Sequence, residues 1–434
     1  MPRKKALPAS QPLIQVPLEV PTLMRPLAEM TPSAGDKKTS MAQARAKKLA
    51  RTLVNAMDAG RAALETRSVD DSTMKSYSTF YSLFVNFAIG AVSTVTCSLE
   101  VWPPVMLHPE SCPILVDRLM ADFADDLFFK GHHIGDLQKS MAAVKFFHPQ
   151  LCPGTLVFHF PRAHRALTGW GKTSPGQMRL PIPHVALTAM MGCMFEAGLP
   201  FTVLAHYFQY DTYLRPGELV GVLVRHLISP PSHSQAAASQ CWGLMLAPRE
   251  EGGAPTKNGE FDESLLLTPR CLRFGGFLRL MSQWLSGHLP VWPCQNAELV
   301  TSMAQASRTL GLSHLGYTPY VSRHGASRDR YFNLLSLDMV KQRGRWKSGA
   351  SLRRYEKAAM YQLQLSKLPD HIAAYGHMVE SALDNIIALL CEDISTLAPM
   401  LSPECRDAAP LQKMVSLHGR YRHAVPALRL GLSG

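Results

Sequence analysis

The chain has 434 residues, more than one ordinary domain uses, which sets two domains with tails as the expectation. With 46% hydrophobic and 18% charged residues, most of it can bury enough apolar surface to offset its ordering entropy, so a largely disordered protein is excluded. The net charge of +12, from 45 Lys and Arg against 33 Asp and Glu, suits a polyanionic partner better than a neutral small substrate.

Residues 1–69 read as a flexible, basic, Pro-rich tail with a possible helix. Lys4, Lys5, Lys37 and Lys38 suit nuclear import or DNA contact as well as a solvated tail. Met1 to Ser10 lacks the apolar core of a secretory signal. Nine cysteines, with no pair closer than fourteen positions, form neither a disulfide framework nor a zinc site and point to a reducing compartment. The uncharged run Ser76 to Leu99 contains nine Ser, Thr or Asn, which favours a buried helix followed by a strand over a membrane span.

Residues 70–168 are expected to form a helical domain. Asp71 is a plausible helix cap ahead of Tyr77, Phe80, Tyr81 and Phe84 on one face. Leu115, Leu119, Phe123 and Leu127 recur every four residues after Pro113, and a third helix covers about 134–147. Asp122, Asp125 and Asp126 have the spacing of a solvated acidic face, so no metal site is expected. Gly169, Gly171, Pro175, Gly176, Pro181 and Pro183 mark 169–182 as a linker. Within it, Gly171, Lys172 and Thr173 imitate the end of a phosphate loop, but the first glycine position holds Ala166 and the strand-like run Leu156 to Phe160 is too far upstream.

In 183–370 a helical pattern to about Tyr210 is followed by an Arg, Pro, Gly, Glu step at Arg215 to Glu218. Strand signals at 241–246 and 261–267 flank a turn containing Lys257, and helical patterns return at about 272–286, 297–310, 319–333, 336–343 and 350–366. Residues 371–434 hold a last amphipathic helix and a tail, with Ile372, Tyr375, Val379, Leu383, Ile386 and Leu390 in register to pack on their own domain or a neighbour's. The fold class is mainly α with a small antiparallel β-sheet, and there are no internal repeats.

Charge is concentrated in Arg323 to Lys357, where ten Lys and Arg face three acids. Cleaving a DNA phosphodiester without a metal needs a nucleophile, donors for the non-bridging oxygens and a proton source for the departing oxygen. Tyrosine can attack, arginine forks match phosphate oxygens, lysine can donate a proton and the indole N–H a hydrogen bond. These types occur in order: Arg215, Lys257 in the strand turn, Arg323, Trp346 and Tyr355, with Trp346 nine residues before Tyr355 and twenty-three after Arg323.

Order, context and spacing resemble the tyrosine recombinase (phage integrase) signature, and most of all eukaryotic mobile-element recombinases of the Crypton and DIRS kind. The resemblance covers about 180–365 well and 70–168 more loosely. It implies a helical core-binding domain, the DNA clamp, ahead of a catalytic domain. Arg215 and Arg323 would hold the scissile phosphate, Lys257 protonate the 5′ oxygen, Trp346 bond a non-bridging oxygen and Tyr355 attack, with Glu218 bracing the site. The family usually has His or Lys where this chain has Tyr320, a poor base at neutral pH. His324 is a possible substitute, although adjacency to Arg323 on a helix turns it about 100° away. Arg328, Arg330, Lys341, Arg343, Arg345, Lys347, Arg353, Arg354 and Lys357 are expected to contact the phosphate backbone and add salt-dependent affinity. The implied activity is site-specific strand exchange through a 3′ phosphotyrosyl bond, without cofactor, by a homo-tetramer on two DNA duplexes. No membrane partner is expected, and the location is the nucleus in a eukaryote, otherwise the cytoplasm with its DNA. The alternative is a catalytically inactive DNA-binding descendant; a metal-dependent nuclease ranks third.

Overall fold

The computed structural model describes residues 68–94, 113–151, 159–175, 180–231, 241–252, 255–267, 273–353, 355–401 and 406–428. The tail up to residue 67, the strand expected after Thr94, most of the run Leu156 to Phe160, Arg354 and the last six residues lie outside them. The chain divides into two compact units, residues 1–176 and 177–434.

Among the described residues, the first unit has the helices α1 (Asp71–Thr94), α2 (Pro113–Phe129), α3 (Ile134–Phe147) and α4 (Pro161–Thr173). Asp70 rather than Asp71 caps α1, its carboxylate accepting from the Thr73 N–H at 2.6 Å. The apolar faces close on a core of Phe84, Met120, Phe123, Leu127, Leu137 and Trp170. Asp117 of α2, 3% exposed, accepts from the Arg162 and Ala163 backbone N–H groups at 3.0 and 3.1 Å, filling the orphan donors at the start of α4. Asp122 and Asp125 are exposed, and Asp126 pairs with Lys130 at 2.9 Å.

The linker expectation fails at its first residues. Gly169 to Thr173 complete α4, because Ala163 and Trp170 repeat on the buried face and Trp170 packs edge-on against Phe128 at 5.5 Å. Each helical glycine costs about 1 kcal/mol relative to alanine, less than burying an indole contributes. Gly171, Lys172 and Thr173 therefore form the end of a helix, not a loop that could cradle a phosphate.

The second unit is helical around a small sheet. Its elements are α5 (His184–Glu196), α6 (Pro200–Thr212), α7 (Pro216–Val220), β1 (Leu227–Ile228), β2 (Gly243–Leu246), β3 (Glu263–Leu266), α8 (Gly275–Trp284), α9 (Asn296–Thr309), α10 (Gly325–Tyr331), α11 (Leu337–Arg343), α12 (Gly349–Arg353), α13 (Ala358–Ser366), α14 (Asp370–Leu397) and α15 (Ala408–His418). The sheet is antiparallel in the order β1-β2-β3, with Leu227 opposite Leu244 and Leu244 opposite Leu265. Mainly α with a small antiparallel sheet is thus the observed class.

α14 is part of this core rather than an appended tail. Ile372, Tyr375, Val379, Leu383, Ile386 and Leu390 are all at most 2% exposed. The helix lies so close to α5 that a β-carbon at Gly376 would overlap the Val185 carbonyl. Among the described residues no helix is long and apolar enough to cross a membrane.

Candidate active site

The first arginine is placed by the end of α6. Tyr213 ends that helix in the left-handed region (φ 54°), a conformation that stops it and turns the chain out. Arg215 then precedes Pro216 at the start of α7. Glu218 Oε2 accepts from the Arg215 N–H at 2.8 Å, and its other oxygen pairs with the Arg215 guanidinium. Arg215 Nη2 also donates to Asn258 Oδ1 at 3.0 Å. Asn258 sits in the β2–β3 turn beside exposed Lys257, so the turn carrying the lysine is fastened to the arginine.

The second arginine is almost wholly enclosed. Arg323 is 1% exposed; it donates to the Tyr213 carbonyl and, through Nη2, to the Gly344 carbonyl at 3.1 Å. Its guanidinium carbon lies 5.1 Å from the Trp346 ring centre and 5.2 Å from that of Tyr355. These are cation–π distances, and the two rings themselves are 5.1 Å apart. Burial, and then the neighbouring charge of Arg215, push the Arg323 guanidinium down to about 10, which leaves it charged at neutral pH.

Tyr355 is half-buried on the segment after α12, held by its N–H to the Leu352 carbonyl at 2.8 Å. Ser327 donates to the Tyr355 carbonyl at 2.7 Å and accepts from the Lys357 N–H at 2.8 Å. Tyr213, Ala326, Val340, Trp346 and Leu352 form a separate small core under this segment. Among the described residues, neither Arg323 Nε nor Trp346 Nε1, both buried, has a hydrogen-bond partner. Two N–H donors in one cluster, without acceptors, are what an oxyanion would satisfy, once side chains shift to admit it.

Arg215, Arg323, Trp346 and Tyr355 are therefore brought together, with Lys257 on an adjoining turn. Glu218 serves two arginines, its other partner being Arg345 Nη2 at 2.7 Å. Burial alone would raise its carboxyl; Arg345, then the Arg215 N–H and guanidinium, hold it below the usual range. Tyr320 is exposed in the 3-10 turn Pro319–His324. His324 is not turned away as expected: this segment is a 3-10 helix rather than an α-helix, and the buried His324 ring lies 5.2 Å from that of Tyr355.

Three of the residues expected on the DNA backbone point inward instead. Arg328 pairs with Asp211 at 2.9 Å and Asp329 at 3.2 Å and lies over Tyr210. Arg343, its side chain 10% exposed, reaches Asp329 at 3.5 Å and covers Tyr213. Arg345, its side chain 6% exposed, spans Glu218 and Glu263. Buried arginines need such carboxylates, and three of them, Asp211, Glu218 and Glu263, come from distant parts of the chain. Lys347 is exposed and paired with Glu260 at 2.8 Å; Arg353 is exposed; Arg330, Lys341 and Lys357 are partly exposed.

Sequence reasoning missed Asn258 and Asp329. Asp329, fully buried, accepts from the Tyr213 hydroxyl and from Asn333 Nδ2 at 2.6 Å besides its two arginines. It thereby fixes the residue whose carbonyl holds Arg323. An Asn in a polar turn and an Asp in a basic run carry no signal of these roles.

No family model and no curated protein matches the chain. Among solved structures, it is similar to the XerH site-specific recombinase bound to palindromic difH substrate in a post-cleavage complex, with a TM-score of 0.42 and 11% identity over 67% of this chain and 78% of that one. The pre-cleavage complex of XerH with difH substrate has a TM-score of 0.37 and 10% identity over 58% of this chain and 70% of that one.

Proposed function

We propose that this chain is a DNA strand-exchange enzyme of the tyrosine recombinase type, acting through a phosphotyrosine at Tyr355. The observation that carries the reading is the convergence of Tyr355, Trp346 and Arg323 within about 5 Å, with Arg215 fastened beside them. In the proposed reaction the Tyr355 oxygen attacks phosphorus and the 5′ oxygen leaves, taking a proton from Lys257. Arg215, Arg323 and the Trp346 N–H hold the non-bridging oxygens. His324, against the Tyr355 ring, takes the phenol proton. A 5′ hydroxyl of a second strand then reverses the step, so bond energy is conserved and no nucleotide is consumed.

The wider reading is a homo-tetramer on two duplexes, in the nucleus of a eukaryotic host, of mobile-element descent of the Crypton or DIRS kind. Exposed Arg353 and Lys347 and the partly exposed Arg330, Lys341 and Lys357 supply phosphate-backbone contacts.

The test incubates the full chain with a pool of nicked duplexes of randomised sequence and looks for a DNA adduct that resists SDS. The adduct should form in EDTA and vanish in Tyr355→Phe. An adduct surviving that substitution would contradict the reading, and DNA cleavage abolished by EDTA would point to a metal-dependent nuclease. A second reading, a DNA-binding descendant without activity, is favoured by Tyr320, a phenol where a base is usual. Duplex binding with no adduct on any member of the pool is its expected result.

A further inference from the structure

Arg345 occupies a backbone position that suits glycine. The Arg345 N–H donates to the Gln342 carbonyl at 3.0 Å and the Trp346 N–H to the Lys341 carbonyl at 3.1 Å, which makes Arg345 the residue just past a Schellman-type end of α11. Its φ is 53°, left-handed, where a residue with a β-carbon gives up about 1 kcal/mol relative to glycine. Glycine would close the same turn, so the backbone alone does not account for arginine here.

The side chain does account for it. The guanidinium reaches Glu218 at 2.7 Å and Glu263 at 3.4 Å, and both carboxylates are only 13% exposed. The Arg345 carbonyl accepts from Asn258 Nδ2 at 2.8 Å. One residue thus joins the cap behind Arg215, strand β3 and the turn carrying Lys257. Its neighbours face the other way into the site: the Gly344 carbonyl receives Arg323, and a β-carbon at Gly344 would overlap the Trp346 indole. Strain held in place by surrounding contacts is the pattern expected where geometry serves function.

We propose that Arg345 is a positioning residue: its guanidinium, anchored on Glu218 and Glu263, fixes Arg215 and holds the left-handed turn in the place that lays the Trp346 indole onto Arg323 and Tyr355. The catalytic consequence rests on the recombinase reading; the positioning itself belongs to the free protein.

The test uses the full chain labelled with 15N-tryptophan, giving six indole signals, with that of Trp346 assigned by Trp346→Phe. Arg345→Gly should move or broaden the Trp346 signal. It should also slow adduct formation at saturating nicked duplex on the order of 10²-fold, leaving the half-saturating DNA concentration unchanged. Arg345→Lys should recover only part of the rate, because one ammonium cannot span two carboxylates as a guanidinium fork does. If Arg345→Gly does not fold, Glu263→Gln, which loosens one arm of the brace, should shift the same signal. An unmoved Trp346 signal with a wild-type rate, or complete rescue by lysine, overturns the proposal. Should the wild-type protein form no adduct, the recombinase reading fails and the indole signal alone decides the positioning.

Discussion

Asp329→Asn tests whether the clamp depends on a carboxylate that no ligand would touch. Asp329 is fully buried and serves Arg328, Arg343, Tyr213 and Asn333 together. Removing one partner of a buried ion pair costs about 3–5 kcal/mol. Arg328 keeps Asp211, so the lower part of that range or somewhat less, roughly 2–3 kcal/mol, is expected here. In a domain of this size each kcal/mol moves Tm by about 2–4 °C, so a fall of about 4–12 °C should appear by circular dichroism. The amide also loses one acceptor for the Tyr213 hydroxyl, which loosens the carbonyl holding Arg323, so adduct formation should fall even at temperatures where the variant is fully folded. A Tm within 1 °C of wild type, or a destabilised variant with unchanged adduct rate when folded, would refute this account of the network.

Further outcomes follow from the same geometry. Trp346→Phe keeps the ring and removes the N–H; adduct formation should drop on the order of 10²-fold, and Trp346→His, which restores a donor, should recover much of it. Arg353→Ala should lower the slope of log affinity against log salt by about one on nonspecific duplex, whereas Arg328→Gln should lower Tm and leave that slope alone. His206 is fully buried beside Ser302, and burial pushes its imidazole down to about 4. The unfolded chain therefore binds a proton first, so stability should fall as pH drops from about 6.5 toward 4, by roughly 3 kcal/mol, and His206→Gln should flatten this limb in urea titrations. Glu218 titrates below its unfolded value, so its contribution should be complete above about pH 4.3 and fade as pH falls through the folded value; Glu218→Gln should lose stability at neutral pH and approach wild type in acid.

Periodic apolar residues made most of the helices legible. The stripe from Ile372 to Leu390 is the buried face of α14, and both predicted strand runs contain the observed strands. β1, two residues long, is too short to show alternation, and α4 overrode its own glycines through Trp170. At the site, the order of Arg215, Arg323, Trp346 and Tyr355 could be read because each residue type has its own chemistry. The fate of Arg328, Arg343 and Arg345 could not. A run of basic residues looks like a solvated face until Asp211, Glu218 and Glu263, more than eighty positions away in the chain, are seen to meet two of them. Likewise, whether His324 faces Tyr355 turned on a 3-10 segment that the helical pattern over 319–333 did not distinguish from an α-helix.

The proposed reaction joins Tyr355 covalently to DNA. Mass spectrometry of the SDS-resistant adduct, after nuclease and protease digestion, should place a nucleotide 3′ phosphate on Tyr355. A nucleotide on any other residue would contradict the claim.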